Sequence, residues 1–260
     1  MATSRSQEVS SFTIVKGGLI EETYVAFQNW DLDASKQENI REFKEKDPIG
    51  ATSANMLQEV AFGISRRFEP NTRDRALVEL ARAGCDRQRW KPLLLWHMTR
   101  DEFLVRDFLI NWLFPRYDEG AFRVQADEVI PYLQSLPEKG VTSTDSWTES
   151  TLKRVASGLL RIAVDFGLMK GTVKREFASY HLPEQSFLYL VHALAEDQPN
   201  ATRIVQSPEW RMYLMYPEDV ERELLRLHQF RKLDYRVAGS LAQLSLPRDS
   251  ALEYAREMVR

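Results

Sequence analysis

The stretch RWKPLLLWHMTRDEFLVRDFLINWLF, residues 89–114, determines which fold this chain can adopt. Its apolar residues are too frequent for the single stripe of a surface helix, and Arg100, Asp101 and Glu102 interrupt them. We interpret the stretch as a central pair of buried helices. Its aromatic side chains could instead be stacking platforms for bases, but the apolar neighbours on every side favour core packing.

Helical periodicity extends outward from this pair in both directions. The pattern predicts helices near residues 19–30, 34–46, 56–68, 126–136, 148–166, 184–196 and 208–215, one capped by Asn71 or Thr72 and ending at Gly84, and one starting at Pro217. The stretch 137–145 has no periodicity and is the best candidate for a linker. The sequence therefore predicts a mainly α fold in two helical units, residues 1–140 and 146–260.

The helix 148–166 has the clearest local signals in the second unit. The segment Ser146-Trp147-Thr148-Glu149 fits a capping box in which Ser146 is the N-cap. A rotation of 100° per residue places Leu152, Val155, Leu159, Ile162 and Phe166 on one face, and Ser150, Lys153, Arg154, Ser157 and Arg161 on the other.

A β-hairpin is predicted near the end of the chain, with Gly239-Ser240 as its two-residue turn. Pairing about this turn puts Val237 opposite Ala242, Tyr235 opposite Leu244 and Leu233 opposite Leu246 on one face, with Arg236–Gln243 and Asp234–Ser245 on the other. A helix followed by such a hairpin is the outline of a winged-helix tail.

No stretch approaches the ~20 apolar residues that a membrane-spanning helix needs, and the N-terminus lacks the apolar core of a signal peptide. We therefore expect a cytoplasmic protein without a membrane partner. The single cysteine, Cys85, is interpreted as a small buried apolar residue.

No motif of a catalytic or cofactor site occurs in the sequence. Gly17-Gly18 lacks the lysine and hydroxyl residue of a phosphate-binding loop, and the four histidines are scattered. Carboxylates such as Asp118 and Glu119 could in principle bind a divalent ion for nuclease chemistry, but isolated surface carboxylates explain them more simply. We expect a protein that is not an enzyme, with no cofactor and no metal.

The positive charge is concentrated in two places, although the formal net charge of −3 argues against strong nucleic-acid binding. Residues 148–175 contain six Lys/Arg and two Asp/Glu. The side chains that we expect to contact DNA phosphates there are Lys153, Arg154, Ser157, Arg161, Lys170, Lys174 and Arg175. A solvated helix face without a ligand explains the same residues.

Residues 66–91 form the second basic region, with eight Lys/Arg and four Asp/Glu. Its arginines suit phosphate recognition, and the candidate DNA contacts are Arg66, Arg67, Arg73 and Arg75. The interspersed acids could neutralise much of this charge through pairs on the helix surface, so this patch is the weaker candidate.

Three stretches resemble the BrxA proteins of the BREX bacteriophage-exclusion systems. They are FTIVKGGLIEE (12–22), WTESTL (147–152) with DFGL (165–168), and AGS (238–240) in the hairpin. The resemblance implies a helical defence component with an N-terminal part similar to NusB antitermination factors, and double-stranded DNA as a ligand. It also implies a membrane assignment, which the absence of a spanning segment contradicts.

The sequence therefore predicts a non-enzymatic, DNA-binding component of a BREX assembly that also contacts other BREX subunits. A protein-only scaffold and, less favoured, a metal-dependent nuclease are the alternatives.

Overall fold

A computed structural model describes residues 9–141, 144–239 and 241–259, and the fold is mainly α as predicted. The α-helices are α1 (Ser11–Val15), α2 (Ile20–Gln28), α3 (Lys36–Lys46), α4 (Ala54–Arg67), α5 (Arg75–Arg82), α6 (Arg87–Met98), α7 (Phe103–Phe108), α8 (Phe114–Asp118), α9 (Ala126–Ser135), α10 (Glu149–Asp165), α11 (Glu184–Asp197), α12 (Ala201–Val205), α13 (Pro217–Gln229) and α14 (Ala251–Met258).

The strands are short and form two small antiparallel sheets. They are β1 (Arg123–Val124), β2 (Met169–Lys170), β3 (Arg175–Phe177), β4 (Asp234–Ala238) and β5 (Leu241–Ser245). The first sheet has the order β1-β3-β2, and the second is the hairpin β4-β5. One turn of π-helix, Leu109–Leu113, joins α7 to α8, and 3-10 helices occupy Pro137–Lys139 and Pro208–Tyr213.

The stretch 89–114 lies at the centre of the core, and the predicted helix pair is confirmed. Trp90 and Trp96 are at most 1% exposed and Trp112 is 8% exposed. These rings therefore pack in the core and are not available as stacking platforms for bases. Pro92 lies inside α6, and its carbonyl accepts a hydrogen bond of 3.0 Å from the Tyr213 hydroxyl.

Two predicted helix starts are wrong by two or three residues. Asp74 precedes α5, in place of Asn71 or Thr72, because Asn71 uses its amide group to bind the carbonyls of residues 32 and 34. Thr148, in place of Ser146, caps α10 and accepts the Thr151 amide at 3.3 Å. At both helix starts several side chains that can act as an N-cap lie close together in the sequence, so residue type alone does not identify the N-cap.

The C-terminal hairpin has the predicted register. Val237 pairs with Ala242, Tyr235 with Leu244, Arg236 with Gln243 and Asp234 with Ser245. Gly239 has a φ of +62°, and the other predicted turn residue, Ser240, lies outside the described residues. The hairpin follows α13, as expected, but the winged-helix assignment stays a prediction.

Both predicted units contribute to one continuous hydrophobic core. α10 packs against α9 and α1, α11 packs against α6, and α14 packs against α5. Each of these four pairs brings a helix that precedes residues 137–145 together with a helix that follows them. The division into residues 1–140 and 146–260, like the similarity to NusB, stays a prediction.

The helix α1 lies directly on α10 because Gly158 has no side chain. A Cβ at this position would stand 2.8 Å from the Ile14 carbonyl oxygen, closer than backbone atoms allow. Ile14 is fully buried at the contact. The position of the N-terminal segment on α10 therefore depends on a glycine in the middle of a long helix.

A buried arginine ties the same N-terminal segment to two further elements. Arg67, at the end of α4, is 1% exposed, and its Nε donates to the Glu102 carboxylate at 3.2 Å. Its terminal nitrogen donates to the carbonyls of Thr13 at 2.8 Å and Gly17 at 2.9 Å. Burial lowers the pKa of the Arg67 guanidinium, and Glu102 opposes that shift.

Asp74 organises a second buried polar cluster in front of α5. Its carboxylate contacts His97 Nδ1 at 2.7 Å, and His97 Nε2 lies 2.7 Å from the Tyr189 hydroxyl. Burial lowers the pKa of His97, so the ring is neutral at pH 7. The carboxylate can only accept, so Nδ1 carries the proton and Nε2 accepts from Tyr189.

We expect Gly158→Ala to destabilise the protein by about 1–3 kcal/mol, because the added methyl group meets a carbonyl that cannot move alone. Gly63→Ala is the matched control. Its Cβ would meet only the end of the Leu19 side chain, so the helix-forming preference of alanine should leave stability unchanged or higher. Urea unfolding measures both, and equal behaviour of the two variants would contradict the close contact.

We expect Arg67→Met to lower the free energy of unfolding by about 3–5 kcal/mol, because it leaves Glu102 as a buried charge without its partner. The double variant Arg67→Met/Glu102→Leu should recover part of this loss, but not all, since the Thr13 and Gly17 carbonyls still lack their donor. A loss below ~1 kcal/mol in the single variant would show that the pair does not support the fold.

We expect Asp74→Asn to be destabilising at pH 7 and the difference from the unaltered protein to shrink in acid. Burial alone would raise the pKa of Asp74, but hydrogen bonds from His97 and Arg73 lower it to about 2. The unfolded value is about 4, so this stabilisation is complete above about pH 4 and is lost between about pH 4 and pH 2. Urea unfolding at several pH values tests this, and a constant difference would refute it.

Candidate nucleic-acid interface

The exposed face of α10 carries the side chains that its periodicity predicts. Lys153, Arg154, Ser157 and Arg161 are all exposed, and Leu152, Val155, Leu159, Ile162 and Phe166 are all buried. Positions separated by three, four, seven or eight residues fall on one side of a helix. The helix therefore anchors its apolar stripe in the core and presents a basic face to solvent.

The hairpin β2–β3 folds back beside this face. Its turn contains Gly171, with a φ of +99°, and a Cβ there would lie 2.4 Å from the Lys174 carbonyl oxygen. Only glycine fits this turn without strain. The return strand places Arg175 against α10, where a terminal guanidinium nitrogen donates to the Ser157 carbonyl at 3.5 Å.

A cleft of about 670 Å³ lies between these two elements, and we call it the α10 cleft. Five of the predicted DNA contacts line it, namely Lys153, Arg154, Ser157, Arg161 and Arg175. Its other lining residues are Val15, Gly158, Val164, Asp165, Gly171 and Thr172. The structure therefore brings together side chains that are up to 22 positions apart in the sequence.

The cations of the α10 cleft differ in how they are paired. Lys153 contacts Glu149 at 2.6 Å on the exposed side of the helix, and Arg161 lies 3.9 Å from Asp165. Arg154 has no ion pair with any residue that the structure describes. Asp165 is the single acid of the lining, and it also accepts the Gly18 amide at 2.8 Å. The cleft therefore keeps an excess of positive charge.

Arg175 is the unusual member of this set, since it is only 9% exposed. Its Nε has no hydrogen-bond partner, and no carboxylate of the described residues pairs with it. The neighbouring Glu176 instead contacts Arg123 at 2.9 Å and Lys170 at 3.8 Å. Burial lowers the pKa of Arg175.

Lys170 and Lys174 lie on the hairpin but do not line the α10 cleft. Both are exposed, one at the end of β2 and the other just before β3. Lys174 has no ion pair with a described residue. These lysines extend the basic surface along the hairpin beyond the cleft.

In the second predicted patch the prediction for Arg67 is wrong, because this side chain is buried against Glu102. Arg73 pairs with Asp74 and Asp101, and Arg75 contacts Glu79 at 2.7 Å. Arg66 is half-buried at the end of α4. The expected neutralisation by neighbouring acids therefore occurs at Arg73 and Arg75.

The sequence held a signal for the burial of Arg67. Val60, Ile64 and Arg67 follow one another at intervals of four and three, which places the arginine on the apolar face of α4. The cleft walls Val15 and Val164 were also missed. Val15 belongs to α1, which is too short for periodicity to reveal it.

Other candidate chemistry is not assembled within residues 9–141, 144–239 and 241–259. No group of three or more His, Cys, Asp or Glu side chains there could hold a metal ion. Cys85 is 2% exposed, as expected for a small core residue. No helix in the described ranges has both the length and the apolar content to cross a bilayer.

Comparison with known proteins supports the resemblance seen in the sequence. The model of the BrxA family matches residues 10–193, well over half of the 260-residue chain. No curated protein matches the chain. The matched region includes the FTIVKGGLIEE and WTESTL stretches, α10 and the β2–β3 hairpin. This chain therefore belongs to the BrxA family, which is associated with the BREX bacteriophage-exclusion systems.

Proposed function

We propose that this chain is a cytoplasmic, non-enzymatic, DNA-binding component of a BREX defence assembly. In this proposal the α10 cleft and the adjoining hairpin lysines contact the phosphates of a DNA duplex. The observation that supports it most is the convergence of Lys153, Arg154, Arg161 and Arg175 from two separate elements onto one cleft.

The geometry suits backbone contact better than base recognition. Arginine and lysine side chains on a helix face and an adjacent hairpin can reach phosphates along one strand, and such contacts fix position without reading sequence. Each phosphate that is neutralised releases counterions, so the logarithm of the affinity falls with a slope of about −0.9 per contact against the logarithm of salt concentration. Binding should therefore weaken steeply as salt rises.

Membership of the BrxA family supports a role beside other BREX subunits, which are the protein partners that we propose. The overall charge of −3 makes a localised basic surface more significant, because the rest of the chain repels DNA.

A protein-only scaffold is the second candidate function, and four exposed apolar side chains in α13, just after it and in the C-terminal hairpin favour it. Leu225 and Phe230 are 41% and 63% exposed, while Val237 and Leu241 on the C-terminal hairpin are 44% and 75% exposed. Exposed apolar side chains in one region are typical of surfaces that bind other proteins. They lie beyond the residues that the family model matches.

We expect the triple variant Lys153→Glu/Arg154→Glu/Lys174→Glu to lose retention of a duplex in a gel-shift assay. It replaces three exposed cations of the proposed surface by anions, so attraction to phosphate becomes repulsion. The circular dichroism spectrum should be unchanged, because none of the three side chains is buried.

Arg41→Glu/Arg203→Glu/Arg231→Glu is the matched control, with the same change of charge on exposed side chains outside both basic regions. It should weaken binding far less than the first triple variant. Equal losses would indicate that only overall charge matters. Absence of duplex binding at low salt, together with co-purification of BREX subunits from a nuclease-treated lysate, would favour the scaffold.

A further inference from the structure

The environment of Arg175 differs from that of an exposed residue that contacts DNA phosphates. A phosphate-binding residue on an exposed helix face, such as Arg154, keeps its charge in water. Arg175 is instead only 9% exposed, and among the described residues no carboxylate pairs with its guanidinium and no group accepts a hydrogen bond from its Nε. Burial of a charge without a counter-ion is unfavourable, so an anion that pairs with Arg175 would relieve this cost.

The surroundings of Arg175 are shaped to receive an anion. It lines the α10 cleft together with the exposed Arg154 and Arg161. Its terminal nitrogen is oriented by the Ser157 carbonyl at 3.5 Å, and the Gly171 turn holds the backbone on which it stands. An arginine held by packing has less side-chain entropy to lose when it forms paired hydrogen bonds to two oxygens of one phosphate.

The volume and the lining of the α10 cleft indicate which kind of ligand would carry this anion. Its volume of about 670 Å³ exceeds what one phosphate occupies and falls within the range of roughly 300–1,000 Å³ that is usual for small-molecule pockets. Val15 and Val164 contribute apolar walls to it. A ligand with a charged end and a less polar body fits these walls.

We propose that the α10 cleft holds one nucleotide unit, whose phosphate pairs with the buried Arg175 while Arg154 and Arg161 close over it from the exposed side. The unit is either a free nucleotide or one residue of a bound DNA strand. This inference deepens the function proposed above and rests on it for DNA as the source of the phosphate.

Thermal unfolding of Arg175→Met separates a binding residue from a structural one. Without ligand, the variant should have a Tm equal to or above that of the unaltered protein, because an unpaired buried charge is replaced by an apolar side chain of similar length. Inorganic phosphate and deoxyadenosine monophosphate should each raise the Tm of the unaltered protein and leave that of the variant unchanged. A Tm lowered by several degrees without ligand would make Arg175 structural and overturn the proposal.

Binding of a labelled duplex provides the second measurement. Arg175→Lys keeps the charge but removes the paired donors, so it should weaken duplex binding about tenfold. Arg154→Lys is the matched control on the exposed side of the same cleft, and it should weaken binding less than about twofold. Equal effects of the two substitutions would overturn the proposal.

The two sources of the phosphate give different results. If duplex displaces deoxyadenosine monophosphate, the unit belongs to a DNA strand; if it does not, the cleft takes a free nucleotide. Loss of duplex binding in the charge-reversal variant with no effect of Arg175→Lys would retain the DNA function and refute the nucleotide site. If deoxyadenosine monophosphate stabilised the protein through Arg175 and no duplex binding were detected, the nucleotide site would be retained and the DNA function refuted.

Discussion

The buried contact between Arg67 and Glu102 is the interaction on which the rest of the structure depends. The guanidinium joins the end of α4 to the residue before α7, and it also holds the carbonyls of Thr13 and Gly17. The short N-terminal segment that contains these two carbonyls is thereby fixed to the rest of the protein. Neither partner can be removed alone, because the other would remain buried with its charge uncompensated.

The segment that Arg67 holds also positions the candidate interface. The Gly18 amide donates to Asp165 near the end of α10, and the Ile14 carbonyl lies against Gly158 in its middle. Val15, from the same segment, then becomes a wall of the α10 cleft. The conformation of the FTIVKGG stretch (12–18) is therefore connected to the shape of the cleft.

Local sequence patterns predicted the helices, the hairpin register and the exposed face of α10. They did not predict which charged side chains pair with residues far away in the sequence. The hairpin register and the exposed face of α10 follow from alternation and from 100° of rotation per residue, so Arg236 and Arg161 lie where expected. Charge density, in contrast, does not reveal which arginine meets a carboxylate. Arg67 finds Glu102, 35 positions away, whereas Arg175 finds no carboxylate among the described residues. Only the folded chain distinguishes these two cases.

The Asp165 carboxylate contacts two groups at different distances. Its carboxylate accepts the Gly18 amide at 2.8 Å but stands 3.9 Å from the Arg161 guanidinium. An anion that drew Arg161 toward itself would break only the longer contact. The hydrogen bond that anchors Gly18 to α10 does not involve Arg161, so it would remain.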